Sequence, residues 1–187
     1  MEIVDNFINV ILQEEIKNYF YSKSLPWNYC KVGTQETYDN RHHFMDENTK
    51  DSSQFVHDLN NEKDSFVRMY LLHCAEDYFG RNFSDRILRV KANMLLANKQ
   101  YKPDNYHIPH CDYEGEVETL IYYVNDSDGD TFVFNEKPDI NLTSISIRDR
   151  ITPVKGRALL FDSSYLHASS SPIISSERII INFVFRK

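Results

Sequence analysis

From Arg86 to the C-terminus, apolar and polar residues alternate with a period of two, and no helical period returns. Leu88, Val90, Ala92, Met94 and Leu96 alternate with Arg89, Lys91 and Asn93, the pattern of a strand whose two faces meet different surroundings. The same reading predicts strands at Tyr106 to Asp112, Val117 to Asn125, Thr131 to Asn135 after the Asp128-Gly129 turn, and Ile140 to Ile147. Three more follow at Arg157 to Asp162 after Lys155-Gly156, Leu166 to Ser169, and Arg178 to Arg186. About eight strands in succession, with turns between them and no helices, must pack as a sandwich, jelly roll or barrel. Residues 86–187 are the expected β core.

The first half reads differently. Ile3, Val4, Phe7, Ile8, Ile11, Leu12, Ile16, Tyr19 and Phe20 recur at helical spacing, predicting an amphipathic helix from Ile3 to about Phe20. Leu25-Pro26-Trp27 breaks it, and Trp27 to Val32 suits a short strand. The polar stretch from Gly33 to Glu62 is expected to be a loop or a lid over a substrate. His42, His43 and His57 fall in it without the carboxylate or thiol pattern of a metal site. Ser65 to Phe79 predicts a second helix, stopped by Gly80, with His73 as a structural residue. The expected architecture is a single domain over 1–187, mainly β with flanking helices (α+β). Residues 1–85 buttress one sheet and supply a possible lid, and residues 86–187 carry the catalytic core.

Composition narrows the function classes. With 41% hydrophobic and 13% aromatic residues the chain is globular, and 21 Lys plus Arg against 28 Asp plus Glu give a net charge of -7. That balance disfavours a life on phosphate backbones. The local basic stretch from Arg81 to Lys102 reads more simply as solvated strand and loop positions. Cys30, Cys74 and Cys111 are odd in number and form no Cys-x-x-Cys, which predicts buried free thiols in a reducing compartment. Acidic Glu2 and Asp5 near the N-terminus, and no apolar run long enough to span a bilayer, predict a cytoplasmic protein without a membrane partner.

The chemistry concentrates at His110-Cys111-Asp112. In an extended segment alternate side chains share a face, so His110 and Asp112 aim at one point while Cys111 turns away. His167 is the best candidate for a third ligand. Two imidazoles and a carboxylate on one side of a metal leave the opposite positions open, which suits non-haem Fe(II) binding oxygen and a co-substrate together. A jelly roll sets its second and seventh strands side by side, which would bring His110, Asp112, His167 and Arg178 to one mouth. The bland readings are a hydrogen-bonded His-Asp pair, a core histidine at 167, and a surface Arg178 paired with Glu177.

The order of local motifs adds to this. A Tyr-rich approach runs from Tyr101 to Asp112, followed by Thr119 to Asn125, Asp128 to Phe134, Pro153 to Phe161, Leu166-His167, and Arg178 ahead of an apolar strand. Over Leu88 to Arg186 this set resembles the Fe(II)/2-oxoglutarate-dependent dioxygenases with a double-stranded β-helix, most closely their prolyl-hydroxylase-like branch. The resemblance implies that His110, Asp112 and His167 hold Fe(II), and that 2-oxoglutarate and O2 are co-substrates, with ascorbate as a reductant. It also implies that Arg178 takes the distal carboxylate of 2-oxoglutarate, where a planar guanidinium offers a bidentate fork. Tyr123 would add a hydroxyl to the same carboxylate while Tyr122 points outward. Asn182 would hydrogen-bond near the metal, and Tyr101 would lie beside co-substrate or substrate.

The implied reaction is hydroxylation of a substrate C–H bond with release of succinate and CO2. A peptidyl side chain such as proline comes first as substrate, then a small metabolite. Two comparisons with the branch matter. Asp128-Gly129-Asp130 stands where it often has Gly-Gly, and Asp112 is intact, which favours hydroxylation over halogenation. Other readings stay open: a nucleic-acid demethylase, although its second Arg lies six residues after the first whereas Arg186 lies eight on; a non-catalytic jelly-roll module binding metal or sugar; and a purely structural domain.

Overall fold

A computed structural model of the chain describes residues 1–31, 44–113 and 115–187. Among the described residues, ten strands form two antiparallel sheets. The larger contains β1 (Glu2–Val4), β2 (Asn28–Cys30), β3 (Gln54–Asp58), β4 (Ile87–Leu96), β5 (Val117–Tyr123), β8 (Ala158–Asp162) and β10 (Glu177–Arg186), in the order β1-β8-β5-β10-β4-β3-β2. The smaller contains β6 (Thr131–Phe134), β7 (Ile147–Ile151) and β9 (His167–Ser169), in the order β7-β6-β9. This is the double-stranded β-helix arrangement, a jelly roll with two α-helices, α1 (Val10–Phe20) and α2 (Ser65–Phe79), both in the first half of the chain.

Both faces of the large sheet are covered. Ile16 and Phe20 of α1, with Val67, Leu71 and Ala75 of α2, pack on Val90, Ala92, Leu120, Tyr122, Ile181 and Phe183. Each such side chain, almost fully withdrawn from water, contributes about 1.5–3 kcal/mol if large. On the other face, Ile121, Tyr123, Leu159, Phe161 and Ile180 meet Val133 and Ile151 of the small sheet. The alternation in β5 and β10 therefore separates two interiors, and not an inside from an outside. Tyr122 faces away from Tyr123 as the alternation requires, but it lies fully buried beneath the helices and not on the surface.

Several boundaries differ from the sequence reading. The predicted helix from Ile3 splits: Glu2–Val4 forms β1, which pairs with β8, and α1 begins only at Val10. Asn9 fixes that start, its side chain accepting from the Leu12 N–H at 3.0 Å. The Gly33 to Glu62 reading lies partly outside the described residues, with His42 and His43; its described remainder contains β3, paired with both β2 and β4. His57 lies in that strand, its Nε2 3.1 Å from Asp64 and its Nδ1 2.9 Å from the Pro26 carbonyl.

Ile140 to Ile147 is not a strand. A backbone bond from the Asn135 N–H to the Ser146 carbonyl closes residues 135–146 into an excursion, so pairing with β6 starts at Ile147. Tyr106 to Asp112 is not a continuous strand either: it makes isolated bridges, Tyr106 to Thr49 and His110 to His167. Helix α2 starts and stops where predicted, Gly80 adopting φ 65° as its left-handed cap. All three cysteines are free, but only Cys111 is buried; Cys30 and Cys74 are partly exposed.

Asp128, in the turn that departs from Gly-Gly, has a structural task. Its carboxylate accepts the backbone N–H groups of Ile173, Ile174 and Ser175 at 2.8–3.0 Å. Partial burial acts to raise its pKa, but those N–H groups outweigh it and hold the carboxyl at about 2, below its ordinary 3.8. A depressed carboxyl stabilises the fold fully above its unfolded value, and the contribution is lost as pH falls through about 2. Asp128→Asn is therefore expected to lose roughly 2 kcal/mol in urea unfolding at neutral pH. The gap from the unsubstituted chain should narrow as pH falls from about 4 towards 2. A gap independent of pH would assign the loss to packing.

Candidate active site

The inner faces of β4, β5 and β10 and the facing strands β6 and β9 enclose a pocket. Its lining includes His110, Asp112, His167, Arg178, Asn182 and Lys91. Each reaches it through strand alternation. Register pairs Asn182 with both Lys91 and Ile121, and Ile180 with both Asn93 and Tyr123, while Arg178 stands opposite Leu95. The side chains thus form successive rows across the floor, with Lys91 and Asn182 in one and Arg178 two rows away.

His110, Asp112 and His167 form one cluster whose donor atoms lie within 4.8 Å of one another. The main chain sets two of them side by side: His110 and His167 exchange backbone hydrogen bonds at 3.0 Å each way. Asp112 Oδ2 lies 3.5 Å from His167 Nε2.

The protonation pattern suits a metal. His110 Nδ1 lies 2.9 Å from the Ile108 carbonyl, and His167 Nδ1 lies 3.2 Å from the Tyr165 carbonyl. A carbonyl can only accept, so each Nδ1 is the donor to its carbonyl and each Nε2 is the ring nitrogen turned to the cluster. Burial, then the neighbouring His167, pushes His110 down to about 3, which keeps it neutral at physiological pH. Burial acts to raise the Asp112 carboxyl, but Arg89, then His167 and His110, hold it well below the usual carboxylate range. Two imidazole nitrogens and an ionised carboxylate are donors that suit a divalent first-row ion. The cluster fits one.

Around the carboxylate lie Arg89, which pairs with Asp112 Oδ1, and Thr119, whose hydroxyl donates to Oδ2 at 3.1 Å. Sequence reasoning treated Arg89 as an ordinary strand position. The available signal was its place on the polar side of β4, beside Lys91 and Asn93. Lys91 is half-buried, and burial followed by the charge of Arg89 pushes its amine down to about 8.

Arg178 is 1% exposed. Its Nη2 donates to Thr131 Oγ1 at 2.7 Å, its guanidinium lies 5.8 Å from the Tyr123 ring centroid, and its Nε has no hydrogen-bond partner among the described residues. No carboxylate of the described residues forms an ion pair with it. A buried guanidinium in that state is costly unless something anionic arrives. Gly129 helps to shape this end of the pocket. A Cβ there would sit 2.5 Å from the Ser170 carbonyl oxygen and 3.1 Å from Arg178 Cδ, so only glycine allows the turn to approach.

The remaining predicted residues are placed unevenly. Tyr123 is fully buried and its hydroxyl donates to Thr131 Oγ1 at 2.8 Å, so it touches Arg178's partner and does not line the pocket itself. Thr131, which the sequence reading did not single out, joins Arg178 and Tyr123. Asn182 lines the pocket, and its Oδ1 is buried without a partner among the described residues. Tyr101 is not brought in: its hydroxyl donates to the Lys50 carbonyl and its ring packs 5.8 Å from that of His107.

Residues 96–186 match the 2OG-Fe(II) oxygenase superfamily. The chain matches no curated protein by sequence. Among solved structures it is similar to an oxidoreductase of the 2OG-Fe(II) oxygenase family from Burkholderia pseudomallei, with TM-score 0.66 and 12% identity over 99% of this chain and 84% of that one. It is similar to a Trichoplax adhaerens prolyl hydroxylase in complex with a hypoxia inducible factor peptide, with TM-score 0.60 and 16% identity over 98% and 82%. HygX from Streptomyces hygroscopicus, bound to nickel, 2-oxoglutarate and hygromycin B, gives TM-score 0.60 and 10% identity over 98% and 81%. At these identities the three structures establish the shared fold.

Proposed function

We propose that this chain, whose segment 96–186 is that of a 2OG-Fe(II) oxygenase, hydroxylates a C–H bond of a peptidyl side chain, proline being the first candidate ahead of a small metabolite. On this match it is a dioxygenase that uses Fe(II), 2-oxoglutarate and O2. When bound, the ferrous ion supplies the coupling of 2-oxoglutarate decarboxylation, which yields succinate and CO2, to oxidation of the substrate.

The chain's own residues bind and orient. His110, Asp112 and His167 are the ligands in this reading, with both imidazoles held by main-chain carbonyls. Arg89 and Thr119 fix the Asp112 carboxylate so that it need not reorganise when a cation arrives. Arg178 takes the distal carboxylate of 2-oxoglutarate, with Thr131 and Tyr123 locking the guanidinium in place. Asn182 offers its amide near the metal. No side chain needs to act as a general base.

One observation carries this reading: a fully buried Arg178, in no ion pair with a carboxylate of the described residues, shares a pocket with a His-Asp-His cluster whose donor atoms lie within 4.8 Å of one another. The peptide substrate draws its support from the likeness to the peptide-bound Trichoplax enzyme, and the metabolite from the likeness to HygX with hygromycin B. The test is succinate release with Fe(II), 2-oxoglutarate and ascorbate, with and without proline-containing peptides. Uncoupled turnover is expected from the chain alone, and stimulation by a peptide that gains one oxygen atom by mass. Stimulation only by small molecules would move the assignment to a metabolite. No conversion of 2-oxoglutarate at all would overturn it.

A further inference from the structure

We propose that Lys91 anchors a carboxylate carried by the prime substrate, a third carboxylate beyond the two of 2-oxoglutarate; the inference rests on the site reading above. Lys91 lines the same pocket as the His-Asp-His cluster and Arg178. Its position is fixed by β4, opposite Asn182. The nearest cation along that strand face, Arg89, is engaged with Asp112. The Lys91 ammonium, by contrast, makes no ion pair or hydrogen bond with any described residue and feels the Asp112 carboxylate, already engaged by Arg89, only through space.

Charge counting then identifies the missing partner. 2-Oxoglutarate would bring two carboxylates: on the reading above Arg178 would hold one, and His110, Asp112 and His167 would hold the metal that takes the other. With a divalent cation and that dianion in place, the pocket's cations (the metal ion, Arg89, Lys91 and Arg178) still outnumber its anions. A half-buried ammonium held there is poorly solvated and gains most from an arriving carboxylate.

The neighbouring groups indicate what accompanies it. Asn93, two residues along β4 from Lys91, and Asn182, opposite it on β10, are 8% and 9% exposed and line the same pocket. Each has an Oδ1 without a partner among the described residues. Asn93 is oriented by its own amide donating to Gln54 Oε1 at 2.7 Å. A ligand bringing a carboxylate to Lys91 and an N–H to these oxygens satisfies all three groups. That combination is found in amino acids and peptides.

The test uses matched probes on the chain loaded with Fe(II) and 2-oxoglutarate under anaerobic conditions. L-Proline against prolinamide, and a proline peptide with a free C-terminus against the same peptide amidated, are titrated by the change in the visible charge-transfer band. The acid of at least one pair is expected to bind roughly ten- to a hundred-fold more tightly than its amide. Lys91→Met should erase the difference and Lys91→Arg should keep most of it. In both variants 2-oxoglutarate affinity should stay within about threefold, less than half a decade of binding, with circular dichroism confirming the fold.

Acid and amide binding alike, discrimination that survives in Lys91→Met, or no binding by any probe would each overturn the proposal. So would a loss of 2-oxoglutarate affinity in Lys91→Met, which would assign the ammonium to the co-substrate. An unsubstituted chain giving no band with Fe(II) and 2-oxoglutarate would instead sink the reading beneath it.

Discussion

Arg178→Met is expected to weaken 2-oxoglutarate binding on the order of 100-fold, as loss of one partner from a buried charge pair does, without unfolding the chain. The guanidinium is fully buried and makes no ion pair with a carboxylate of the described residues; Asp130, the acid that acts on it, is already paired with Arg150. In the ligand-free chain its desolvation is therefore only partly offset, by Thr131 and the Tyr123 ring. Replacing such a group by an apolar side chain of similar length is often neutral or stabilising. The thermal midpoint should accordingly hold or rise while affinity falls, a combination that a purely structural Arg178 would not give. Arg178→Lys keeps the charge but loses the planar fork, and should fall between the two. Anaerobic titration of the charge-transfer band measures the affinity. An unchanged dissociation constant in Arg178→Met would remove Arg178 from the co-substrate site.

His110→Ala should abolish both the band and succinate release while leaving the fold intact. The bridge between His110 and His167 uses only main-chain atoms, 3.0 Å in each direction, so truncation at Cβ leaves it in place. What is lost is one of three ligands, and with it the geometry that fixes the other two. Removing either imidazole should take bound iron from equimolar to none in equilibrium dialysis, with the circular dichroism spectrum unchanged. Iron retained at full stoichiometry by His110→Ala would mean that the ion sits elsewhere.

The strand-rich core and the shared face of His110 and Asp112 were legible because both rest on local rules. Alternation over β4, β5 and β10 follows from the pleat, and Gly80 stops α2 through its own backbone freedom. The His110 and Asp112 pairing survives even though Tyr106 to Asp112 is not a regular strand, since an isolated bridge at His110 is enough to hold the alternation there. The errors arose where a partner distant in sequence decides. Ile3 and Val4 fit a helical period equally well, and only β8 makes them a strand. The polar residues of β3 gave no strand signal, yet β2 and β4 flank it. Ile140 looked like a strand start, but the Asn135 to Ser146 closure displaces pairing to Ile147.

The sequence by itself determined which side chains share a face, because alternation needs no knowledge of what the face meets. It also gave the donor types, two imidazoles and a carboxylate, that a metal of this kind would take. What each face meets was decided only by the tertiary structure. With helices on one side of the large sheet and the small sheet on the other, the polar side of β4 becomes the inner wall of a pocket and Tyr122 becomes core. Burial and charge pairing are sums over residues far apart in the chain. For that reason Arg89 beside Asp112, Thr131 between Arg178 and Tyr123, and a Lys91 ammonium that makes no ion pair among the described residues appear only once the sheets have closed.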